Sequence, residues 1–366
     1  MIFNCEKEAL VDAINTVQKA VPTKTPMQIL EGILIKAEEE NIKLTANDLE
    51  LAIECEIEAR IKEKGDIVID AKLFGEIIRR MPDSTIHIEA DQENNITIEC
   101  ENSKFQIKGI SPEGFPDFPS IKRKTQLKTT QNIVRDMIRQ TIFAVSEDEN
   151  RPILTGVLVE CKNGTLTFVS CDSYRLALRK CAIEDPELQL KVIIPGKNLN
   201  EISKILNPFE DELNIYTNQN LILFDMGNTK VVSRLLEGEY FRYENVIPEE
   251  YETTIRINKK ELQESIERVS LLISNDETRY PINLLLKMDV LKITTNTQIG
   301  NAKVEIPTEI NGNDMEIRFN PRYFIEALKA IDDEEIEVLF SSDVGPCIIK
   351  SIDKESFIYM LLPLRK

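Results

Sequence analysis

The feature that most constrains this chain is that it repeats itself at the scale of a domain. Residues 29–59 read ILEGILIKAEEENIKLTANDLELAIECEIEA, and residues 153–183, 124 positions further on, read ILTGVLVECKNGTLTFVSCDSYRLALRKCAI. Ile-Leu-x-Gly, the alternating run behind it, a polar turn and the next alternating run all recur in register. A weaker third copy, PINLLLKMDVLKITTNTQIGNAKVEI, begins at Pro281. Solenoids and propellers repeat every ~20–50 residues, so a period this long marks whole domains. A chain of 366 residues is also too long for one ordinary core.

Each copy combines two helical patterns with strands. Leu10, Ile14, Val17 and Val21 form one helical stripe, repeated at Val134, Ile138, Thr141 and Val145 and again at Leu262, Ile266, Val269 and Ile273. A second helix recurs in AKLFGEIIRRM, PGKNLNEISKIL and NPRYFIEALKAI, with matched apolar positions Phe74/Ile77/Met81, Leu199/Ile202/Leu206 and Phe324/Ala327/Ile331. Alternating runs such as STIHIEA, ELNIYT and EIEVLF follow. The segments PDFPSIKRKTQLKTT (116–130) and NVIPEEYETTI (245–255) read as linkers. The expected architecture is α+β, three domains in tandem over 1–121, 129–245 and 247–366.

Catalytic chemistry finds little to stand on. His87, in the alternating run TIHIEA, is the one histidine, and no GxSxG, P-loop or GxGxxG accompanies it. The seven cysteines form no CxxC pair and most sit in strand-like runs, as free thiols of a reducing compartment do. No metal and no cofactor is expected. No apolar run approaches the ~18 residues of a membrane span, and MIFNCEKEAL lacks the form of a signal peptide, so a cytoplasmic chain is expected. The run CDSYRLAL (171–178) sets Asp172, Ser173, Tyr174 and Arg175 side by side. Ser173 lacks a base and Asp172 supports the turn, so the run is not read as catalytic. The alternative is a metal-dependent phosphoester hydrolase using Asp172, Tyr174 and Arg175, and it lacks the clustered carboxylate or histidine ligands such a site needs.

The net charge of −18 argues against a polyanionic partner only if the charge is evenly spread. The six helical segments carry 14 basic and 10 acidic residues, a surplus of four positive charges in a strongly negative chain. Lys72, Lys197 and Arg322 hold equivalent places at the start of the second helix of each copy. Arg151 and Arg279 match in the loop after the first helix, with Lys24 nearby in the first copy. Copies packed head to tail must close into a ring or run on as a filament. A ring whose walls carry weak positive charge suits a polyanion threaded through it, held by phosphate contacts without sequence information.

The threefold pattern, together with TANDLELAI (45–53), CDSYRLAL, VIIPGKNLNEI (192–202), EGEYFRYENVIP (237–248) and the terminal MLLPLRK, resembles the bacterial sliding clamps, the beta subunits of DNA polymerase III. The resemblance spans essentially the whole chain. It implies a non-catalytic homodimeric ring of clamp-fold domains around duplex DNA, helices lining the hole and antiparallel sheets outside, which raises processivity by tethering a polymerase. It implies DNA contacts at Lys24, Lys72, Arg79, Arg151, Lys197, Arg279 and Arg322, and ring closure through Phe105 and Ile107 on one side and Leu272 and Ile273 on the other. The implied partners are the polymerase III catalytic subunit, the clamp loader and other replication and repair proteins carrying a clamp-binding peptide. The implied peptide pocket comprises Leu154, Cys171, Ser173, Tyr174, Arg175, Leu176, Phe241, Val246, Met360, Leu361, Leu362, Pro363, Leu364 and Arg365, with Asn320, Tyr323, Val344 and Pro346 along an adjoining groove. Phe241 stands where the family often has proline, Tyr174 where it often has histidine, and Pro346 where it often has serine. Asp148 falls in a DNA-facing loop where a neutral polar residue is expected.

Overall fold

The computed structural model describes the chain except residues 122–124, 274–279, 353–355 and 365–366. Six α-helices of eight or more residues form among the described residues: α1 (Lys7–Val17), α2 (Ala71–Arg80), α3 (Gln131–Arg139), α4 (Gly196–Ser203), α5 (Lys259–Ser270) and α6 (Pro321–Ala330). They are the six helical patterns of the sequence. Side chains cap α2, where Asp70 accepts from Leu73 N, α5, where Asn258 accepts from Glu261 N, and α6, where Asn320 accepts from Arg322 N.

The first helix of each copy is shorter than its apolar stripe. Val21, Val145 and Ile273 lie beyond the ends of α1, α3 and α5, and Val21 and Val145 have extended backbone. Hydroxyls near the three ends bond back to carbonyls one turn earlier: Thr16 Oγ1 to Asp12 O at 2.8 Å, Thr141 Oγ1 to Met137 O at 2.7 Å, and Ser270 Oγ to Ile266 O at 2.6 Å. Such back-bonding competes with propagation of the helix. Tighter 3₁₀ turns, Gln18–Ala20 and Ile142–Ala144, then carry the first two copies out of the helix.

The chain divides into two compact units, residues 1–131 with 204–235, and residues 132–203 with 236–366. The first unit holds a five-stranded sheet and an eight-stranded sheet. Across the larger sheet the order is Thr125–Thr130, Glu212–Thr217, Leu221–Asp225, Thr229–Arg234, Leu51–Glu58, Asn41–Asn47, Gly32–Ala37 and Gly65–Asp70, every neighbour antiparallel. Here α1 lies on the strands Leu51–Glu58 and Asn41–Asn47 and against α2, burying Leu10, Ile14 and Val17. Each such side chain contributes about 1.5–3 kcal/mol.

The second unit holds a nine-stranded sheet in the order Leu190–Pro195, Gly156–Lys162, Thr165–Cys171, Arg175–Ala182, Phe357–Leu361, Cys347–Ser351, Glu335–Phe340, Thr253–Asn258 and Ile310–Gly312, and a four-stranded sheet running from Gly300–Pro307 to Met315–Phe319. Both large sheets contain the same seam. Leu51–Cys55 pairs with Thr229–Ser233, and Arg175–Arg179 pairs with Phe357–Leu361, so successive domains share one hydrogen-bonded ladder. The ladders extend alike: Glu56 N to Asn228 O and Arg234 N to Glu50 O in one, Lys180 N to Ser356 O and Leu362 N to Tyr174 O in the other, at 2.8–2.9 Å. The linker suggested by composition ends early, because Thr125–Thr130 is already a strand paired with Glu212–Thr217. Its threonines and alternating Leu127 suit a strand, and its lysines misled a reading by charge.

The repeated glycine of Ile-Leu-x-Gly opens the first long strand where another chain segment presses close. A Cβ on Gly32 would lie 2.3 Å from Val68 Cγ1, and one on Gly156 would lie 2.6 Å from Ile193 Cγ2. Both obstacles are β-branched side chains with little freedom to turn away. Gly32→Ala is expected to cost about 1–3 kcal/mol through overpacking, read as a lower urea midpoint with an unchanged slope.

Candidate partner-docking site

The strand Thr165–Cys171 passes into Arg175–Ala182 through a turn built on Asp172. Its Oδ1 accepts from the backbone N of Tyr174 at 3.0 Å and of Arg175 at 3.1 Å, while Ser173 takes a φ of 78°. The first copy does the same: Asp48 Oδ1 accepts from Glu50 N and Leu51 N, and Leu49 has a φ of 75°. A short carboxylate that closes its own turn explains why an acid stands in both TANDLEL and SCDSYRL. Asp172 Oδ2 receives Arg175 Nε at 2.8 Å, so both oxygens are engaged. The hydrolase reading of Asp172, Tyr174 and Arg175 is not supported; among the described residues, no cluster of His, Cys, Asp or Glu could hold a metal ion.

Arg175 is 5% exposed and satisfied on every side. Besides Asp172, its Nη2 donates to Phe143 O at 2.6 Å and its Nη1 to Glu326 Oε2. Its guanidinium carbon lies 4.6 Å from the centre of the Tyr323 ring and 5.5 Å from that of Phe143. The other oxygen of Glu326 accepts from Arg322 Nε at 2.7 Å. Two cations and two carboxylates thus balance. Burial pushes the Glu326 carboxyl up, but the bonds from Arg322 and Arg175 outweigh it and hold its pKa below the ordinary glutamate value. Tyr174, 59% exposed, stacks on Tyr323 with ring centres 6.4 Å apart. These groups border a cleft of about 520 Å³ that reaches Asp148, Arg151 and Arg322.

Alternation along the paired strands separates this polar side from an apolar one. Leu176 and Met360 are opposite each other and join Cys171, Leu158, Tyr240 and Leu339 in one cluster, with Leu154 and Phe241 packed against it. Tyr240 and Phe241 stack at 5.1 Å. Leu361 faces the other way, into the core that contains Phe324 and Tyr359, so it is not brought to the cluster with Met360. Val246 (43% exposed), Val344 (75%) and Leu362 (36%) present apolar surface nearby in sequence to these elements. Leu364 N donates to Arg318 O, Pro346 O accepts from Ser341, and Pro363 is half-buried. Arg365 lies outside the described residues. Sequence reading missed Leu339, Ile348, Tyr240, Tyr243 and Glu326; the strand alternation at Ile348 and Leu339 was the available signal.

Three family profiles cover the chain: DNA polymerase III beta subunit, N-terminal domain over residues 1–119, central domain over 128–241, and C-terminal domain over 244–365. A beta sliding clamp of Halalkalibacterium halodurans is 37% identical over 379 residues, covering all of both chains. Among solved structures, a putative DNA polymerase III beta subunit from Eubacterium rectale is 40% identical with TM-score 0.96, covering 100% of both chains. The sliding clamp from Bacillus subtilis is 32% identical with TM-score 0.97, covering 100% of this chain and 99% of that one. The chain belongs to the sliding-clamp family.

Its three tandem domains are clamp domains, and its role is the sliding clamp's, a non-catalytic processivity factor that works with DNA and a polymerase in replication. Of the basic residues singled out for DNA, Lys24, Lys72 and Arg79 are exposed in the first unit, where Arg79 donates to Asn15 Oδ1 at 2.9 Å. Arg151, Lys197 and Arg322 are exposed in the second, where Arg151 Nη1 donates to Ser173 Oγ at 2.6 Å. Arg279 lies outside the described residues. Asp148 accepts from Asn150 and faces Arg151 at 3.7 Å, which makes it an internal organiser of its loop. No helix among the described residues is long and apolar enough to cross a membrane.

Arg175→Ala should cost about 3 kcal/mol in urea unfolding, because it leaves Asp172 Oδ2 and Glu326 Oε2 without their partner and opens the space under Tyr323. Glu326→Gln should be less stable than the parent at neutral pH. The folded pKa of Glu326 is depressed, so the parent's advantage is complete above the unfolded value and is lost as pH falls through the folded one; the two melting curves should converge in acid.

Proposed function

We propose that two copies of this chain close head to tail into a ring around duplex DNA and hold partner proteins by a peptide laid along the cluster of Leu154, Cys171, Leu176, Phe241 and Met360. One observation carries the closure. The strand equivalent to Leu51–Glu58 and Arg175–Ala182 in the third copy is Gly300–Pro307, and among the described residues it pairs only with Val290–Thr297. The equivalent of Thr229–Arg234 and Phe357–Leu361 in the first copy is Ser103–Lys108, which among the described residues pairs only with Asn95–Cys100. The seam found twice within the chain has its two halves left open, one on the first copy and one on the third.

Continuing the seam's register places Ser103 opposite Val304, Phe105 opposite Ala302 and Ile107 opposite Gly300. Gly300 lies 3.8 Å (as a built Cβ) from Leu272 Cδ1, which brings Leu272 and Ile273 to that edge. Phe105 is 43% exposed, and Leu271 and Ile299 about four-fifths, which is costly in a lone subunit and useful in a closed one. With helices that are only weakly positive, phosphate contacts from Lys24, Lys72, Arg79, Arg151, Lys197, Arg279 and Arg322 let a closed ring slide.

The docking surface suits an extended peptide with apolar anchors. It would serve the polymerase III catalytic subunit, the clamp loader and repair proteins in turn. The seven free cysteines accord with work in a reducing cytoplasm.

The ring is tested by topology. Chain loaded on circular DNA should stay bound in moderate salt and leave when the circle is cut; equal loss from intact circles sinks the reading. Ile107→Asp should sediment as a monomer and fail to stay on circles. Removing residues 362–366 should abolish polymerase binding while the dimer persists.

A further inference from the structure

Two arginines assigned above to DNA are tied to the turn assigned to peptide docking. Arg151 Nη1 donates to Ser173 Oγ at 2.6 Å, and Arg322 Nε donates to Glu326 Oε1 at 2.7 Å. Glu326 projects from α6, four residues after Arg322, and its other oxygen receives Nη1 of the buried Arg175. A single carboxylate therefore bridges an exposed guanidinium (67% exposed side chain) and a buried one (6%). Arg175 in turn carries the backbone of the docking wall: it pairs with Leu361, and Leu362 N donates to Tyr174 O just beyond.

We propose that Glu326 is a positioning residue that couples phosphate contact at Arg322 to the order of the peptide-docking turn Asp172–Arg175. A DNA phosphate competes with Glu326 for the exposed Arg322. When Arg322 turns to the phosphate, both oxygens of Glu326 are left to Arg175, whose planar fork accepts a bidentate partner. Arg175 is then held on one side by Asp172 and on the other by the whole of Glu326. The turn is more firmly set, and less ordering remains for a peptide to supply. Clamp on DNA binds its partners more tightly than clamp free in solution, and by linkage peptide tightens DNA contact by the same factor.

The inference rests on the proposed DNA and peptide roles, and the experiment separates the two. Short labelled peptides tiling the DNA polymerase III catalytic subunit are titrated against the full dimeric chain, with and without duplex DNA at low salt, and the tightest peptide is the probe. The expected result is about five-fold or more tighter peptide binding with DNA present. Glu326→Gln should bind peptide more weakly and lose the DNA dependence. Arg322→Ala, a surface change that leaves the core intact, should bind peptide without DNA as tightly as the parent does with it, and ignore DNA. A purely structural Glu326 would weaken peptide binding in the Gln variant but leave the DNA dependence in place, which overturns the proposal. Equal peptide affinity with and without DNA in the parent overturns it too, leaving the clamp reading intact. If the parent binds neither peptide nor DNA, both fall.

Discussion

Unpaired backbone at the edge of a β-sheet is the constraint on which this architecture turns. A strand with one open side offers a row of donors and acceptors that must find water or another strand. Twice in this chain the next domain satisfies that row, at Leu51–Cys55 with Thr229–Ser233 and at Arg175–Arg179 with Phe357–Leu361. These seams are main-chain ladders, so they are indifferent to most side-chain changes. That explains how domains with weak mutual sequence likeness join in the same way.

The seam at Arg175 also builds the proposed docking site. Antiparallel pairing sends alternate residues to opposite faces, so Leu176 and Met360 reach the apolar cluster while Arg175 and Leu361 reach the other side. One stretch of ladder thus holds an apolar wall and a buried cation in fixed relation. The cation is tolerable there because two carboxylates, a carbonyl and two aromatic rings replace the water it gave up. The tie from Glu326 to Arg322 then connects that buried charge to the exposed start of α6.

Charge follows the same economy of position. A chain with a net charge of −18 is a poor polyanion binder on average. Its helices are an exception, and their basic residues recur at equivalent places because the helices themselves recur. In the proposed ring, weak, repeated, sequence-blind contacts from these residues suit a mobile tether, since a few strong ones would fix it in place.

Much of this was legible in the residues. The offset of 124 between Ile29 and Ile153 gave the tandem domains, the spacing of Leu10, Ile14 and Val17 gave α1, and the acid at matched positions 48 and 172 gave the turn. These are local facts, set by periodicity and by side chains that bond to their own backbone. The ends of α1, α3 and α5 were not legible, because hydroxyls near them bond back to carbonyls one turn earlier and compete with the helix, while the apolar stripe runs on. Nor was the role of Glu326, which is 151 positions from Arg175 and meets it only across packed elements. Sequence determined the modules and their order, since each is specified by its own short-range pattern. Only the tertiary structure decided which strand edges are joined and which stay open, because edge pairing is made between backbones far apart in the chain and leaves no residue signature of its own.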